Sequence, residues 1–349
     1  MTVIDGPSLR WVMGDIPTTR GLVAEVAAAP SADDESRAAT QARVDDILRP
    51  VGAFGRLDEV AVHLAAWQRM PSPTVETPAA LIFAADHGVA ADGVSAYPTE
   101  VTGAMLAAFE ASKATVSALA SVAGATVQAV DVGVGNPTAN LRTEAAMSPE
   151  RFSEAFNAGR SAVAELDADL LLLGEMGIGN TTAAAAVTAA IIGGDPSTFV
   201  GRGTGVDDET YANKVEVVSH AVERIAEVDD PLEILREVGG SELAAIAGAL
   251  VEARMRSIPV VLDGYIASTP ALVLHAIDPR LAEHSLAGHG SAEPGHRHIL
   301  ERLGLEPLLD LGLRLGEASG AMAAVPLIKM ACAAVTEVPT FAEWFGPQQ

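Results

Sequence analysis

A glycine-rich segment, GEMGIGNTT (residues 174–182), is the part of this chain whose residue types point most directly to chemistry. Its glycines allow positive φ angles or a close approach of the backbone: Gly174, Gly177 and Gly179. The polar residues after them are able to cap a helix: Asn180, Thr181 and Thr182. A helix that begins here would point unpaired N–H groups and the positive end of its dipole at a ligand. This segment, the glycine turn, is therefore predicted to bind a phosphate group.

The glycine turn matches neither of two common nucleotide-binding patterns. Asn180 stands where a Walker A loop has its lysine, and the glycine spacing is not G-x-G-x-x-G. The alternative interpretation is a tight connection between a strand and a helix with no ligand. Both interpretations stay open on this segment alone.

Glu317 is a candidate acid–base group. It lies in LRLGEASGAM, among small and apolar residues. If a pocket held this carboxylate, the loss of solvent would raise its pKa toward neutrality and suit it to accept a proton. The alternative is an exposed position on a helix, because the segment from residue 308 to 335 is predicted to form one helix or a pair of helices.

The charge of the chain limits its partners. The net charge is −24, with only 22 Lys and Arg residues, so nucleic acid and anionic membranes are not expected to bind. An anionic substrate would need cations near the glycine-rich turns, and four are available there: Arg202, Lys214, Arg297 and Arg314. Each of them could instead form an ion pair on the surface.

Other catalytic patterns are absent from the sequence. No HExxH or CxxC spacing accompanies the histidines, so we expect neither a bound metal nor a cofactor. Ser285 and Ser291 stand in no G-x-S-x-G elbow. Cys332, the single cysteine, lies in an apolar run and is predicted to be a buried, inert thiol. A transfer reaction at a phosphorylated sugar suits the remaining features better than ester hydrolysis.

Alternating strands and helices must position these residues. Four leucines at 170–173 predict a short buried strand directly before the glycine turn. Further strands are predicted at residues 79–86, 125–133 and 258–265, and from 284. Helices are predicted at 99–120, 148–166 and 183–190, after Asp207 or Asp208, and from near Glu293. This alternation predicts an α/β fold with a Rossmann-like parallel sheet, helices on both faces, and ligands beyond the carboxyl ends of the strands.

The chain is long enough for a large domain with a smaller addition. Residues 1–78 are predicted to be the helical N-terminal part of a small domain, 79–300 an α/β large domain, and 301–349 a helical part that closes the site. No run of about eighteen apolar residues lacks a charge or a breaker, and no signal segment begins the chain. We therefore expect no membrane span and a cytoplasmic location.

Six segments occur in order between residues 83 and 326: FAADHGV with GVSAYPTEVT, GEMGIGNTTAAAA, GRGTGVDD, LDGYIASTPAL, GHGSAEPGH and LRLGEASGAM. Together they resemble the nicotinate-nucleotide dimethylbenzimidazole phosphoribosyltransferases of cobalamin synthesis. The resemblance implies transfer of the phosphoribosyl group of nicotinate mononucleotide to dimethylbenzimidazole, giving α-ribazole phosphate and nicotinate. It also implies a homodimer, and a small helical domain made from both ends of the chain.

The resemblance also implies roles for residues. The glutamate of the RLGE motif, Glu317, would be the catalytic base, and Glu175 a ribose ligand or a second acid–base partner. Residues assigned to the phosphate and ribose are Gly177, Gly179, Asn180, Thr181, Gly203, Lys214 and Ser291. Candidates for the pocket of the aromatic base, each of which could instead be simple core packing, are Tyr97, Met176 and Leu315. The chain departs from the family at its end, where Trp344 and Phe345 follow TFAE.

Two other functions stay open. A different base-exchanging enzyme, such as a nucleoside phosphorylase, would need free phosphate as its nucleophile. A nucleotide-binding regulator would bind nicotinate mononucleotide without turnover, although a glutamate at position 317 argues against it.

Overall fold

The structure, a computed structural model, describes residues 16–203 and 205–346. The beginning of the predicted N-terminal helical part, residues 1–15, lies outside the described residues, as do Thr204 and residues 347–349. Six strands form one sheet: β1 (Pro78–Ala84), β2 (Thr126–Asp131), β3 (Leu170–Met176), β4 (Val260–Leu262), β5 (Ser285–His289) and β6 (Pro307–Leu309). Their order is β2-β1-β3-β4-β5-β6, and every neighbouring pair is parallel. The predicted parallel α/β sheet is confirmed.

The central strand β3 shows why a continuous apolar run is required here. Leu171 and Leu173 pack into the core on one face of the sheet, whereas Leu170 and Leu172 pack into the core on the other. All four side chains are fully buried. A strand covered by helices on both faces has no polar side, so a run of leucines replaces the alternation of polar and apolar residues that is usual in a half-exposed strand.

One face of the sheet is covered by α1 (Thr19–Ala28) and by helices from the middle of the chain. These are α6 (Pro149–Ala164), α7 (Asn180–Ile192), α8 (Asp208–Arg224), α9 (Pro231–Val238), α10 (Ser241–Met255) and α11 (Tyr265–Ile277). α12 (Pro294–Leu303) packs beside α11 through Ile299. α6 and α10 touch at Gly159 and Gly248, where an added Cβ would lie 1.8 Å from Ala245 O and 1.9 Å from Phe156 O, respectively. Only glycine permits this approach of the two backbones.

Helices from both ends of the chain, together with two helices that lie between β1 and β2 in sequence, cover the other face. They are α2 (Asp34–Asp46), α3 (Arg56–Gln68), α4 (Glu100–Glu110), α5 (Thr115–Ala123) and α13 (Ser319–Thr336), followed by the short α14 (Phe341–Phe345). The two ends are bonded directly: Arg43 donates to Val335 O at 2.6 Å and to Val338 O at 2.9 Å, and pairs with Glu343 at 2.9 Å. The predicted helical part built from both chain ends is confirmed. The domain boundaries at 78/79 and 300/301 stay predictions.

Among the described residues, one helix, Ser319–Thr336, is long and apolar enough to cross a membrane. In this protein 56% of it is buried. It packs against α3 and β5 in the core of the second face, as the central helix of a globular domain does.

Three local predictions were wrong. The predicted helix 99–120 is broken between α4 and α5, where Ser112 has a φ of 54°. The helix predicted from residue 308 is instead β6, an irregular segment and then α13, because Gly312 and Gly316 take positive φ angles that end any helix. α7 begins at Asn180, with Gly179 as its cap and no side-chain cap, so the polar residues of the glycine turn lie inside the helix.

Candidate active site

Most of the predicted site residues line one cavity at the carboxyl ends of the central strands. They are Glu175, Met176, Gly177, Asn180, Thr181, Gly203, Ser291 and Leu315. The cavity is also lined by the first turn of α11, by His289 at the end of β5, and by Glu293 and Arg314. Its position is the one expected for ligands of a parallel sheet covered by helices.

The glycine turn carries the backbone from β3 into α7 along the cavity. An added Cβ at Gly177 would lie 2.7 Å from Ala85 O, and Gly179 has a φ of 97°. Both positions therefore require glycine. The side chain of Asn180 donates to the carboxylate of Glu175 instead of capping the helix. The N–H groups of Asn180 and Thr182 donate to Gly177 O at 3.2 Å and to Gly179 O at 3.0 Å.

Lys214, on α8, lies just behind the cavity wall. Its side chain is 1% exposed, and Nζ donates to Thr181 Oγ1 at 2.7 Å and to Gly201 O at 3.1 Å. Burial lowers the pKa of Lys214 to about 8, and the nearby carboxylate of Glu293 partly opposes that change. Lys214 therefore joins the loop at residues 201–203 to the start of α7 and brings a positive charge close to both.

Glu293 is a cavity residue that the sequence reasoning did not assign. Its Oε1 accepts the N–H of Gly203 at 2.8 Å. An added Cβ at Gly201 would lie 2.0 Å from the other carboxylate oxygen, which explains a glycine there. The only sequence signal was its place before Pro294 at a predicted helix start, and that signal describes a cap and not a site.

Ser291 is held by a buried histidine. The N–H of Ser291 donates to His296 Nδ1 at 3.0 Å, and the other ring nitrogen lies 3.1 Å from Ser268 Oγ. Burial lowers the pKa of His296 to about 3, so the ring is neutral at physiological pH and its Nδ1 can accept. Ser291 Oγ accepts the N–H of Glu293 at 3.3 Å.

Glu317 does not lie on a helix surface. It stands in the segment between β6 and α13 and is only 5% exposed. Glu317 and Ala318 have φ angles of 62° and 60°, a left-handed conformation that is unfavourable for residues other than glycine. The N–H of Glu317 donates to Glu175 O at 3.3 Å, which joins this segment to β3.

Three buried carboxylates, those of Glu175, Asp263 and Glu317, act on one another electrostatically, and they are named the carboxylate cluster. Burial, followed by the charge of Asp263, raises the pKa of Glu317 to about 7. The pKa of Glu175 is raised well above its usual range, mainly by burial and then by the charges of Asp263 and Glu242. A carboxyl group with a pKa near 7 can accept a proton and release it at neutral pH.

Comparison with known proteins decides the family. A family model described as phosphoribosyltransferase matches residues 29–344. The nicotinate-nucleotide–dimethylbenzimidazole phosphoribosyltransferase of Methylocella silvestris is 47% identical over 315 residues, which is 90% of this chain and 92% of the relative. The chain belongs to this phosphoribosyltransferase family. The predicted resemblance is confirmed, and the protein is a transferase.

Further members of the phosphoribosyltransferase family agree in sequence and fold. The enzyme of the same name from Methylorubrum extorquens is 46% identical over 325 residues, covering 93% of this chain and 95% of its own length. The crystal structure of the nicotinate-nucleotide-dimethylbenzimidazole phosphoribosyltransferase from Thermus thermophilus has a TM-score of 0.85 at 42% identity. That match covers 91% of this chain and 100% of the other.

Four predicted site residues are not on the lining of this cavity in the phosphoribosyltransferase. Gly179, Lys214 and Glu317 are each next to a lining residue in the chain or bonded to one, whereas Tyr97 lies elsewhere. It is 51% exposed and lines a separate cavity with Asp86 and His87, beyond the end of β1. The two cavities adjoin, because an added Cβ at Gly177 would lie 3.3 Å from the ring of His87. Met176 and Leu315 do line the first cavity, together with Glu175 of the carboxylate cluster, and Leu315 is 50% exposed.

Two of the cations noted in the sequence do not line the cavity of the transferase, although Arg202 lines a neighbouring pocket with Gly203 and Arg314. Arg202 pairs with Asp208, and Arg297 pairs with Glu301, with exposed side chains in both pairs. Only Lys214, behind the wall, and Arg314, on the lining, are placed to act on an anion in the cavity. Across residues 16–203 and 205–346, no group of three or more His, Cys, Asp or Glu side chains is arranged to hold a metal ion.

Proposed function

We propose that this transferase moves the phosphoribosyl group of nicotinate mononucleotide to dimethylbenzimidazole and releases nicotinate. The product would be α-ribazole 5′-phosphate, which supplies the lower ligand of cobalamin. The observation that carries the proposal is the buried carboxylate of Glu317, whose pKa is raised to about 7, beside a glycine turn at the end of the central strand. Relatives that are 46–47% identical and bear the name of this reaction support it.

The leaving group needs little help in this reaction. The pyridinium ring of nicotinate mononucleotide is cationic and departs as a neutral ring, so no general acid is required there. The difficulty lies with the benzimidazole, which attacks through one ring nitrogen and must lose the proton from the other. We assign the removal of that proton to the carboxylate of Glu317, and attack from the face opposite nicotinate inverts the anomeric carbon from β to α.

We assign the phosphate and ribose to the cavity wall formed by the glycine turn and the loops beside it. The residues are Gly177, Gly179, Asn180, Thr181, Gly203, Lys214 and Ser291. The positive end of the helix dipole at the start of α7 and the buried charge of Lys214 support an anion at this wall. Binding energy gained on the phosphate, remote from the reacting carbon, would hold the two rings in line.

Glu175 would act as the second group of the carboxylate cluster. Burial raises the pKa of Glu175 well above its usual range, so this carboxyl group holds a proton more readily than an exposed glutamate, and we assign it to a ribose hydroxyl. Met176 and Leu315 are our candidates for contacts with the aromatic base, since both line the cavity. Tyr97 would reach that base only from the adjoining cavity.

The release of nicotinate tests this function against its alternatives. The wild-type protein is incubated with nicotinate mononucleotide alone, with added dimethylbenzimidazole, and with added inorganic phosphate. We expect release only when the benzimidazole is present. Release that depends on phosphate would indicate a phosphorylase, and binding without release under all three conditions would indicate a regulator.

Lys214→Ala is expected to raise the KM for nicotinate mononucleotide by about 10- to 100-fold, the scale of a lost hydrogen bond to a charged group. The KM for dimethylbenzimidazole should change little, because the neutral base carries no charge for Lys214 to attract. Arg297→Ala, which removes an exposed surface cation, is the matched control and should affect neither constant. An equal loss for both substrates in the Lys214 variant would mean that Lys214 only supports the loop.

We also propose a homodimer, which the family resemblance implies. Apolar side chains on the surface offer material for an interface: Val122 is 84% exposed, Trp344 64% and Phe345 70%. Light scattering at micromolar concentration should give twice the chain mass of 35.8 kDa. A mass of one chain under those conditions would count against the dimer.

We place this reaction in the cytoplasm, with small-molecule substrates and no nucleic acid partner. The net charge of −24 supports the absence of a nucleic acid partner, because it would repel a polyanion.

A further inference from the structure

Asp263 is the third buried member of the carboxylate cluster, beside Glu175 and Glu317. It follows β4 directly and is 1% exposed. Its Oδ1 accepts the N–H of Ala321, in the first turn of α13, at 2.8 Å. The nearby amides of Ala318 and Gly320 partly oppose the rise in the pKa of Asp263 that burial causes. Asp263 is therefore hydrogen-bonded to the first turn of α13, the helix that follows Glu317 in the chain.

The backbone next to this helix start is strained. Gly316, Glu317 and Ala318 are consecutive residues with φ angles of 83°, 62° and 60°. Residues other than glycine adopt this conformation only where the surrounding structure holds them in it, and such positions cluster at functional sites. The segment therefore needs contacts that fix it.

Contacts from three neighbouring strands fix the segment. On β3, an added Cβ at Gly174 would lie 2.2 Å from the backbone nitrogen of Ala318. On β5, the ring of His289 lies so close to Gly320 that an added Cβ would be 1.9 Å from it. Between these strands, Asp263 at the end of β4 accepts the N–H of Ala321. β3 also accepts the N–H of Glu317 at Glu175 O, so Asp263 supplies a second hydrogen bond to this part of the chain, through its side chain.

We propose that Asp263 is a positioning residue for the transfer reaction, which holds the left-handed turn at Glu317 and Ala318 and so fixes the carboxylate of Glu317 beside the cavity. This inference rests on the proposed function, in which Glu317 is the base. Asp263 would not touch the substrate itself, because it acts through the backbone of α13.

Asp263 also acts on Glu317 through its charge. The titratable groups packed around Glu317 are Glu175 on β3, Asp263 after β4 and His289 on β5, whose Nε2 lies 3.7 Å from Asp263 Oδ1. Arg314 precedes Glu317 on the same segment and lines the cavity. Among these groups, Asp263 is the one whose charge raises the pKa of Glu317, after burial. Removing that charge should make Glu317 lose its proton at a lower pH.

Two variants separate the hydrogen bonds from the charge. Asp263→Asn keeps an oxygen that can accept from Ala321 but loses the charge, whereas Asp263→Ala loses both. We expect kcat to fall by less than about tenfold in the first variant and by about 100-fold or more in the second, the scale of a misplaced catalytic group. The KM for nicotinate mononucleotide should change little in either. Asp33→Asn, which alters the aspartate that caps α2, is the matched control.

A readout that does not need turnover completes the test. With ¹³C-labelled glutamate, the carboxyl signal of Glu317 is assigned by its loss in Glu317→Gln and is then titrated in each folded variant. We expect a midpoint near pH 7 in the wild type, a lower midpoint in Asp263→Asn, and no change in Asp33→Asn. An unchanged midpoint together with unchanged kcat in both Asp263 variants would overturn the proposal. Failure of the proposed function appears separately, as absence of product from the wild type.

Discussion

Glu317→Gln is expected to fold, to bind both substrates, and to lose turnover by about 10²-fold or more, the usual scale of a lost general base. The amide keeps the size of the side chain and one acceptor oxygen. It cannot take a proton from benzimidazole at neutral pH. In the wild type, the rate should rise with pH through about 7, because Glu317 must be ionised to act and its pKa is raised to that value. This rise should be absent in the variant.

Stability gives an independent check that the Glu317 variant is folded. The pKa of Glu317 is about 7 in the folded protein, against a usual value of 4.5. The folded state therefore binds the proton more tightly, and the stability that this group contributes is lost as the pH rises through 7. Glutamine does not titrate, so the variant should melt at the same or a higher temperature than the wild type at pH 8.

Two further variants control this experiment. Glu306→Gln changes an exposed glutamate that precedes β6 and should leave turnover unchanged. Glu175→Gln changes the other glutamate of the carboxylate cluster and should reduce turnover less than the change at position 317. Near-normal turnover in a folded Glu317→Gln protein would move the role of base to Glu175. Because the free benzimidazole also titrates, the profiles should be repeated with a base of different pKa.

Gly174→Ala is expected to reduce kcat by about 100-fold or more although it adds a single methyl group. The added Cβ would lie 2.2 Å from the nitrogen and 2.7 Å from the Cα of Ala318, so the turn that carries Glu317 must move away from β3. A displacement of about 1 Å of a catalytic group is enough for a loss of this size. Overpacking should also cost about 1–3 kcal/mol of stability.

A second glycine separates displacement of the base from general destabilisation. Gly159→Ala creates a comparable overlap, 1.8 Å from Ala245 O, where α6 meets α10 away from the site. We expect it to lower the melting temperature but to leave kcat close to wild type in the folded protein. The two variants are compared by their kcat values, each measured well below both melting temperatures. If Gly174→Ala then behaves like Gly159→Ala, the contact of β3 with Ala318 does not position Glu317.

Much of the fold was predictable because its signals are local. The leucines at 170–173 predict β3, since a strand buried on both faces has no polar side. Asp207 predicts the start of α8, and its side chain does accept the N–H of Thr210 at 2.9 Å. The sheet follows from the alternation of such elements, and the carboxyl ends of its strands then indicate where the site lies.

The remaining features depend on contacts that are distant in sequence. β6 has only three partly buried residues, too few to show a pattern. Glu317 was assigned to a helix because its neighbours are apolar, but Gly316 and the support from β3, β4 and β5 hold it in an irregular segment. Asp263 and Glu293 looked like ordinary residues at a strand end and a helix start. Their place in the site comes from backbone amides of segments far along the chain.

The configuration of the product tests the central claim most directly. The wild-type protein is incubated with nicotinate mononucleotide and dimethylbenzimidazole in a phosphate-free buffer, and the product is identified by mass and by NMR at the anomeric carbon. The proposed mechanism predicts one ribazole phosphate with α configuration for each nicotinate released. A β product, or nicotinate released without a new bond to the benzimidazole, would contradict it.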